Sequence, residues 1–154
     1  KVGDLVRLSG PYGTFIGDPA VDTPVLCIAA GSGLAPNLSL AEAALRRGFS
    51  APVALVFSAR TKDDVYDQGL MAYWQMKYRN FRFIPTLSRE QAPGMQHGRV
   101  PDILPKLFPD LSGHSIFAAG SPAFVDACVA ASKSLGAKDE LVHTEGFFSQ
   151  DIVQ

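Results

Sequence analysis

Residues 28–36 read IAAGSGLAP, where an apolar run stops at two glycines and resumes before a proline. The residues that lead into the glycines, 24–30 (PVLCIAA), are apolar at consecutive positions. This pattern is typical of a strand that is covered on both faces, because neither face meets water. Leu38, Ala41 and Leu45 then share one helical face. We therefore predict a strand, a tight glycine turn and a helix.

The same unit repeats along the chain. We predict strands over 24–30, 53–57, 81–87, 115–119 and 140–145, and helices over 36–47, 63–78, 101–108 and 122–135. The helix over 63–78 is expected to bury Leu70, Met71, Trp74 and Tyr78. Strands that alternate with helices form a parallel sheet with helices on both faces. The predicted fold is α/β: a doubly wound, mostly parallel, five-stranded Rossmann-like sheet, whose ligands bind beyond the carboxyl ends of its strands.

Composition argues against several classes of function. The net charge is −1 and there is no basic stripe, which argues against nucleic acid or an anionic membrane as a partner. No apolar run approaches the length of a membrane-spanning helix. Cys27 and Cys128 lie in apolar patterns and are predicted to be buried thiols, and His97, His114 and His143 lack the spacing of metal ligands. We predict no metal site and a cytoplasmic, reducing location.

Two glycine turns follow predicted strands. Residues 31–33 (GSG) and residues 118–124 (AAGSPAF) both lead into a helix, where exposed amides and a helix N-terminus can face a phosphate. The first turn reads G-x-G-x-x-P, only half of the dinucleotide fingerprint, and residues 58–60 (SAR) supply no acid after the second strand. On spacing alone, phosphate binding and a tight turn that simply requires glycine both remain open. The second turn favours a ligand held between the two.

The first 17 residues do not follow the strand–helix rhythm. Residues 3–15 (GDLVRLSGPYGTF) alternate with a period of two and then turn at glycine and proline. We predict that residues 1–17 are the terminal strand and turn of another domain, and that residues 18–154 form the α/β domain.

Six segments in unbroken order resemble one family. They read GDLVRLSGPYGTF, PVLCIAAGSGLAP, LVFSARTKDDVYD, FRFIPTLSRE, IFAAGSPAFVDA and HTEGFF. Together they resemble the NAD(P)-binding half of the ferredoxin–NADP reductase superfamily, in particular the reductase components of bacterial aromatic-ring dioxygenases and phenol-type monooxygenases. The resemblance implies that residues 1–17 close the barrel of an FAD-binding domain.

The resemblance also implies roles for individual residues. The first turn would carry the pyrophosphate and nearby ribose through Gly31, Ser32, Gly33, Leu34, Ala35 and Pro36. Arg60 would lie near the adenosine ribose, and Ser88 would face the cofactor cleft. Ala119, Gly120, Ser121 and Pro122 would pass beside the nicotinamide, while Glu145 and Phe147 would approach the flavin and nicotinamide edge.

Three positions depart from the family pattern. Ala119 stands where the family has a cysteine, Gly146 where it has a lysine, and Ser121 where it has a proline. These departures keep open the alternative of a degenerate nucleotide-binding module without efficient hydride transfer. A serine hydrolase is disfavoured because neither Ser32 nor Ser121 lies in G-x-S-x-G, and an adenosyl-dependent methyltransferase because no acid follows the second strand directly.

The expected function is that of an NAD(P)H-binding domain in a flavin-dependent electron-transfer reductase. The implied cofactors are NADH, with NADPH as the alternative, and FAD bound mainly by a different domain, with a [2Fe–2S] centre in a separate domain. The implied partners are the FAD-binding domain of the same protein and a ferredoxin or oxygenase that accepts electrons.

Overall fold

A computed structural model of the chain describes residues 3–7, 9, 15–16 and 22–147. The strands are β1 (Val25–Ala30), β2 (Val53–Ala59), β3 (Phe81–Leu87), β4 (Gln96–His97), β5 (Ser115–Gly120) and β6 (Val142–Gly146). The helices are α1 (Leu34–Arg46), α2 (Gln68–Lys77), α3 (Val100–Leu107) and α4 (Pro122–Ser134). All strand pairs are parallel, in the order β4-β3-β2-β1-β5-β6.

The apolar runs form the centre of the sheet, as predicted. Every residue of β5 is buried, and so are the four inner residues of β1. Two hydrophobic clusters cover the two faces of the sheet, one with α1 and α2 and the other with α3 and α4. The strand order reverses at β1, which pairs with β2 on one side and β5 on the other. A ligand crevice is expected at this switch point, beyond the carboxyl ends of β1 and β5.

Strand pairing differs from the sequence-based prediction at one place. The sheet has six strands among the described residues rather than five, because β4 has only two residues and shows no periodicity to recognise. Residues 4–7, predicted to begin the terminal strand of another domain, lie outside the strands of the described sheet. The turn predicted after them lies at residues 10–14, outside the described residues, so this domain boundary stays a prediction.

The helix predicted over 63–78 is wrong at its start. Residues 62–64 form a single 3₁₀ turn, Val65 is extended and buried, and α2 begins only at Gln68. Asp67 has a left-handed backbone, with φ of 56°, which interrupts any continuous helix. Met71 and Trp74 are buried as predicted, whereas Leu70 is 40% exposed and lies outside the buried face.

The other helices lie close to their predicted places. Helix α4 begins at Pro122 with Ser121 as its N-cap residue, and α3 is limited to eight residues. Helix α1 begins two residues earlier than predicted, so Pro36 is its third residue, where the missing amide still costs little. No helix in the described part of the chain is long and apolar enough to cross a membrane.

Candidate functional site

A cleft of about 820 Å³ opens at the carboxyl ends of β1, β2 and β5. Its volume lies in the range of sites for small molecules and cofactors. The residues that line it come from the ends of β1 and β2, from the segments that follow β1, β2, β3 and β5, and from the end of the described chain: Ala30, Gly31, Ser32, Phe57, Ser58, Ala59, Arg60, Asp64, Tyr66, Ser88, Ser121, Phe124 and Phe147. The cleft therefore lies at the predicted switch point, and six of the predicted site residues line it: Gly31, Ser32, Arg60, Ser88, Ser121 and Phe147.

The first glycine turn presents open backbone to the cleft. Gly31 has a φ of +54°, a left-handed conformation that glycine adopts without strain, and a Cβ there would meet nothing within 4 Å. Ser32 is also exposed and lines the cleft. Helix α1 begins at Leu34, so the positive end of its dipole faces this side of the sheet. This part of the turn can approach an anion closely.

The second glycine of the turn has a different role. Gly33 is buried, and a Cβ there would lie 2.2 Å from the carbonyl oxygen of Ala119 in β5. Glycine is therefore required at this position so that the turn can pack on the next strand. Leu34 is fully buried, and its amide donates within the turn to Gly31 and Ser32. Ala35 and Pro36 continue α1 outside the lining of the cleft.

The second glycine turn borders the same cleft. A Cβ on Gly120 would lie 3.3 Å from the Cβ of Ala30, so the ends of β5 and β1 are in direct contact. Ser121 lines the cleft, whereas Ala119 is fully buried and Pro122 lies outside the lining. The amide of Phe147 donates to the carbonyl of Gly120 at 2.8 Å, which brings the Phe147 ring to the cleft.

Glu145 lies on β6 beside the second turn. It is in register with Ala119 of β5 and is half-buried, outside the lining of the cleft. The structure thus places Glu145 at the edge of the site, one strand away from its centre.

The loops after β2 and β3 form the other wall. Arg60 and Ser88 both line the cleft, and the Ser88 amide donates to the carbonyl of Ala59 at 3.0 Å. The amide of Arg89 donates in the same way to the carbonyl of Arg60, also at 3.0 Å. These bonds extend the β2–β3 pairing past the ends of the strands and place both predicted residues on one wall.

Asp64 corrects the expectation that the second strand is followed by no acid. It lines the cleft five positions after β2 ends. Its Oδ2 accepts hydrogen bonds from the hydroxyl and the amide of Thr61, both at 3.0 Å. These bonds, the hydroxyl first, hold the pKa of the Asp64 carboxyl below its ordinary value, so it is negatively charged at neutral pH. Asp64 lies beyond the position directly after the strand at which the dinucleotide fingerprint places its acid.

Tyr66 is a second residue that the sequence-based reasoning missed. Its hydroxyl donates to the carbonyl of Gly31 at 2.8 Å, and its ring packs edge-on against Phe57 with centroids 5.4 Å apart. Burial raises the pKa of the Tyr66 hydroxyl, so it is protonated and able to donate. The quoted segment LVFSARTKDDVYD contains both Asp64 and Tyr66 and was the one available signal.

The two cysteines supply no chemistry to this site. Both thiols are buried and free, and burial raises the pKa of each to about 12. They are therefore protonated and unreactive, as predicted from their apolar surroundings. Among the described residues, no three His, Cys, Asp or Glu side chains come together as a metal site.

The fold and the cleft define a nucleotide-binding α/β domain: a doubly wound parallel sheet with glycine turns and a helix N-terminus at the switch point. Residues 27–130 match the model of the oxidoreductase NAD-binding domain. The chain belongs to this family, and the resemblance to the ferredoxin–NADP reductase superfamily is confirmed.

Similar proteins support this assignment. The chain is 32% identical to the ferredoxin–NAD(P)+ reductase component of naphthalene 1,2-dioxygenase/salicylate 5-hydroxylase systems from a Ralstonia species, covering 99% of this chain and 47% of the relative. It is 36% identical to the reductase subunit of an Amycolatopsis aromatic O-demethylase, over 94% of this chain and 44% of the relative. The chain thus spans about half the length of the curated relatives it matches.

A solved structure agrees with the same assignment. The crystal structure of an Amycolatopsis cytochrome P450 reductase superposes with a TM-score of 0.85 at 35% identity, covering 90% of this chain and 42% of that one. The fold is therefore that of the NAD-binding part of reductases of this superfamily.

Proposed function

We propose that this chain is the NAD(P)H-binding domain of a flavin-dependent reductase, and that it holds the nicotinamide against an FAD bound by another domain. The observation that carries the proposal is the meeting of two glycine turns at one cleft, with the open backbone of Gly31 and Ser32 facing it. When bound, NAD(P)H supplies a hydride to the flavin, which passes electrons to an iron–sulfur centre or an oxygenase.

The residues of the cleft suit the parts of this cofactor. Gly31 and Ser32, backed by the N-terminus of α1, would bind the pyrophosphate. Arg60 and Ser88 would contact the adenosine ribose from the opposite wall. Gly33, Leu34, Ala35 and Pro36 would support the turn rather than touch the ligand, because none of them lines the cleft.

The nicotinamide is proposed to lie beside the second turn. Ser121 and Phe147 line the cleft there, and Ala119, Gly120 and Pro122 would shape its floor from below. Glu145 would orient the nicotinamide from β6. The task of this wall is positional, since the reacting atoms must come within about 3–3.5 Å of one another.

We propose NADH as the preferred cofactor. The charged carboxylate of Asp64 lines the ribose wall, where it would accept bonds from ribose hydroxyls and repel a 2′-phosphate. Arg60 lines the same wall and favours NADPH as the second candidate. Comparing the affinities of NADH and NADPH for the chain decides between them, and Asp64→Asn should improve NADPH binding selectively.

The remaining partners follow from the same proposal. The FAD-binding domain would belong to the same protein, a [2Fe–2S] centre would lie in a separate domain, and the acceptor would be a ferredoxin or oxygenase. The Ralstonia and Amycolatopsis relatives are reductases of oxygenase and demethylase systems, which supports this class of acceptor. We also propose that the protein is cytoplasmic.

A degenerate binding module is the second candidate, motivated by Ala119 and Gly146. Both candidates bind NADH, and only the reductase reduces flavin rapidly. Stopped-flow mixing of NADH with the protein that joins this chain to its FAD-binding domain separates them. Rapid bleaching of the flavin excludes the module, whereas NADH binding without bleaching excludes the reductase.

Ser32→Asp tests the binding site itself. The new carboxylate would repel the diphosphate, so the dissociation constant of NADH should rise by about tenfold or more, ~1.4 kcal/mol. The fold should persist, because an acid suits the first turn of a helix. Ser39→Asp is the matched control, since Ser39 is exposed on α1 outside the cleft. Equal NADH affinities for both variants in isothermal titration would refute the proposed site.

A further inference from the structure

Tyr66 connects two parts of the chain that lie 35 residues apart. It follows the 3₁₀ turn after β2, and its hydroxyl donates to the carbonyl of Gly31 in the turn after β1. The bond is 2.8 Å long, a good distance for an O–H···O hydrogen bond. The loop after β2 is thereby tied to the turn that the proposed function places against a diphosphate.

The ring of Tyr66 is held in place by its surroundings. It packs edge-on against Phe57, with an interplanar angle of 79°, and Phe57 is buried at the end of β2. On one side Val65 is buried in the core, and on the other Asp67 adopts a left-handed backbone that starts α2. These contacts hold the Tyr66 ring, and with it the hydroxyl, in one position, although the side chain is 44% exposed.

The carbonyl that Tyr66 contacts controls the orientation of the turn. Gly31 has no side chain to restrict its backbone, and its carbonyl accepts from the Leu34 amide as well as from Tyr66. In a trans peptide the carbonyl and the following amide point in opposite directions. Fixing the carbonyl of Gly31 consequently fixes the direction of the Ser32 amide, which belongs to the same peptide unit.

We propose that Tyr66 is a positioning residue for the anion-binding turn: its hydroxyl holds the Gly31–Ser32 peptide in the orientation that receives the diphosphate. This inference rests on the proposed function for its ligand. It assigns Tyr66 no contact with the reacting atoms. Preorganising the turn strengthens binding because the ordering cost is met before the ligand arrives.

Tyr66→Phe tests the inference, because it removes the hydroxyl and keeps the ring against Phe57. The dissociation constants of NADH and of ADP, which share the diphosphate, should both rise by about three- to tenfold, the range for one hydrogen bond. Hydrogen exchange of the Leu34 amide in the free chain should accelerate by a similar factor, since that amide shares the Gly31 carbonyl. The control is Tyr73→Phe, which changes an exposed tyrosine on α2 outside the cleft.

The outcomes separate this inference from the proposed function. Unchanged or tighter binding by Tyr66→Phe, or unchanged exchange of Leu34, overturns the positioning role. An equal loss of affinity in Tyr73→Phe also overturns it, because the effect would not be specific to the hydroxyl bond. If the unaltered chain binds neither NADH, NADPH nor ADP, the proposed function fails. In that case the rate of hydrogen exchange at the Leu34 amide, compared between Tyr66→Phe and the unaltered chain, alone decides whether Tyr66 holds the turn.

Discussion

At the scale of single residues, one short motif contains glycines that are required for different reasons. Gly31 is exposed with a left-handed backbone and leaves space for a ligand, whereas Gly33 is buried against the backbone of β5. The sequence motif shows both glycines and does not distinguish them. The distinction depends on which strand lies beside the turn. That strand is β5, and the residues in contact, Gly33 and Ala119, are more than eighty positions apart in the sequence.

Gly33→Ala should destabilise the domain more than a typical helix substitution. Its Cβ would lie 2.2 Å from the carbonyl oxygen of Ala119, so two backbone segments must separate. Overpacking of this kind costs about 1–3 kcal/mol or more. Urea unfolding measures the loss. Gly69→Ala is the control, because a Cβ on that residue of α2 meets nothing within 4 Å and alanine favours a helix. Equal stabilities of the two variants would contradict the packing role of Gly33.

At the scale of elements, the strongest local patterns predict the structure well. The runs of consecutive apolar residues predicted β1, β2 and β5 correctly, because a parallel strand that is covered on both faces has this pattern. The Ser-Pro start of α4 was predicted from the preference of proline for the first helical position. Prediction failed between β2 and α2, where Val65 is drawn into the core and Asp67 takes a left-handed backbone. Both are tertiary effects that local periodicity does not contain.

The same reason explains the parts of the site that were missed. Arg60 and Ser88 follow strands directly, and the family resemblance placed both at the cleft that they line. Asp64 and Tyr66 lie in the irregular segment before α2, so only the path of that segment brings them to the cleft. Leu34 and Gly33 were expected at the ligand, but Gly33 packs against the backbone of β5 and Leu34 is fully buried at the start of α1.

The hydrogen bonds between Thr61 and Asp64 lead to a prediction about the pKa of Asp64 in the variant Thr61→Ala. The Thr61 hydroxyl is the main reason that the pKa of Asp64 lies below its ordinary 3.8, and its removal should raise that pKa while the amide bond remains. The stabilisation from this bond is present above pH 3.8 and is lost as the pH falls through the lowered pKa. Carbon-13 NMR titration of the carboxyl measures the change. An unaltered pKa in the variant would show that the hydroxyl does not hold the carboxylate.

At the scale of the whole molecule, the two ends of the sheet have separate roles. The carboxyl ends of the strands form the cleft, which is lined by the open backbone of Gly31 and Ser32 and by the charged side chains of Arg60 and Asp64. The amino ends of the strands lie at the opposite end of the sheet. There the loop that contains His114 leads directly into β5. We expect a polar atom buried at that end to affect stability without contacting the cleft, so that the pH dependence of folding can be altered independently of ligand binding.

His114 provides the test of this separation. Its Nδ1 is buried and has no hydrogen-bond partner in the described part of the chain, and its ring packs edge-on against Phe108. Burial lowers the pKa of His114 below its ordinary 6.5, a shift that the nearby carboxylate of Asp110 opposes. The unfolded chain therefore takes up a proton first as the pH falls. Stability is fully present above pH 6.5 and declines as the pH falls below it towards the lowered pKa.

His114→Gln should flatten this decline. We expect the urea midpoint of the unaltered chain to fall between pH 7.5 and pH 5.5, and that of the variant to change less, because glutamine takes up no proton. NADH affinity at pH 7.5 should be the same in both, since His114 lies outside the cleft. His97→Gln is the control, because His97 is exposed. If the variant declines as steeply as the unaltered chain, protonation of a group other than His114 limits acid stability.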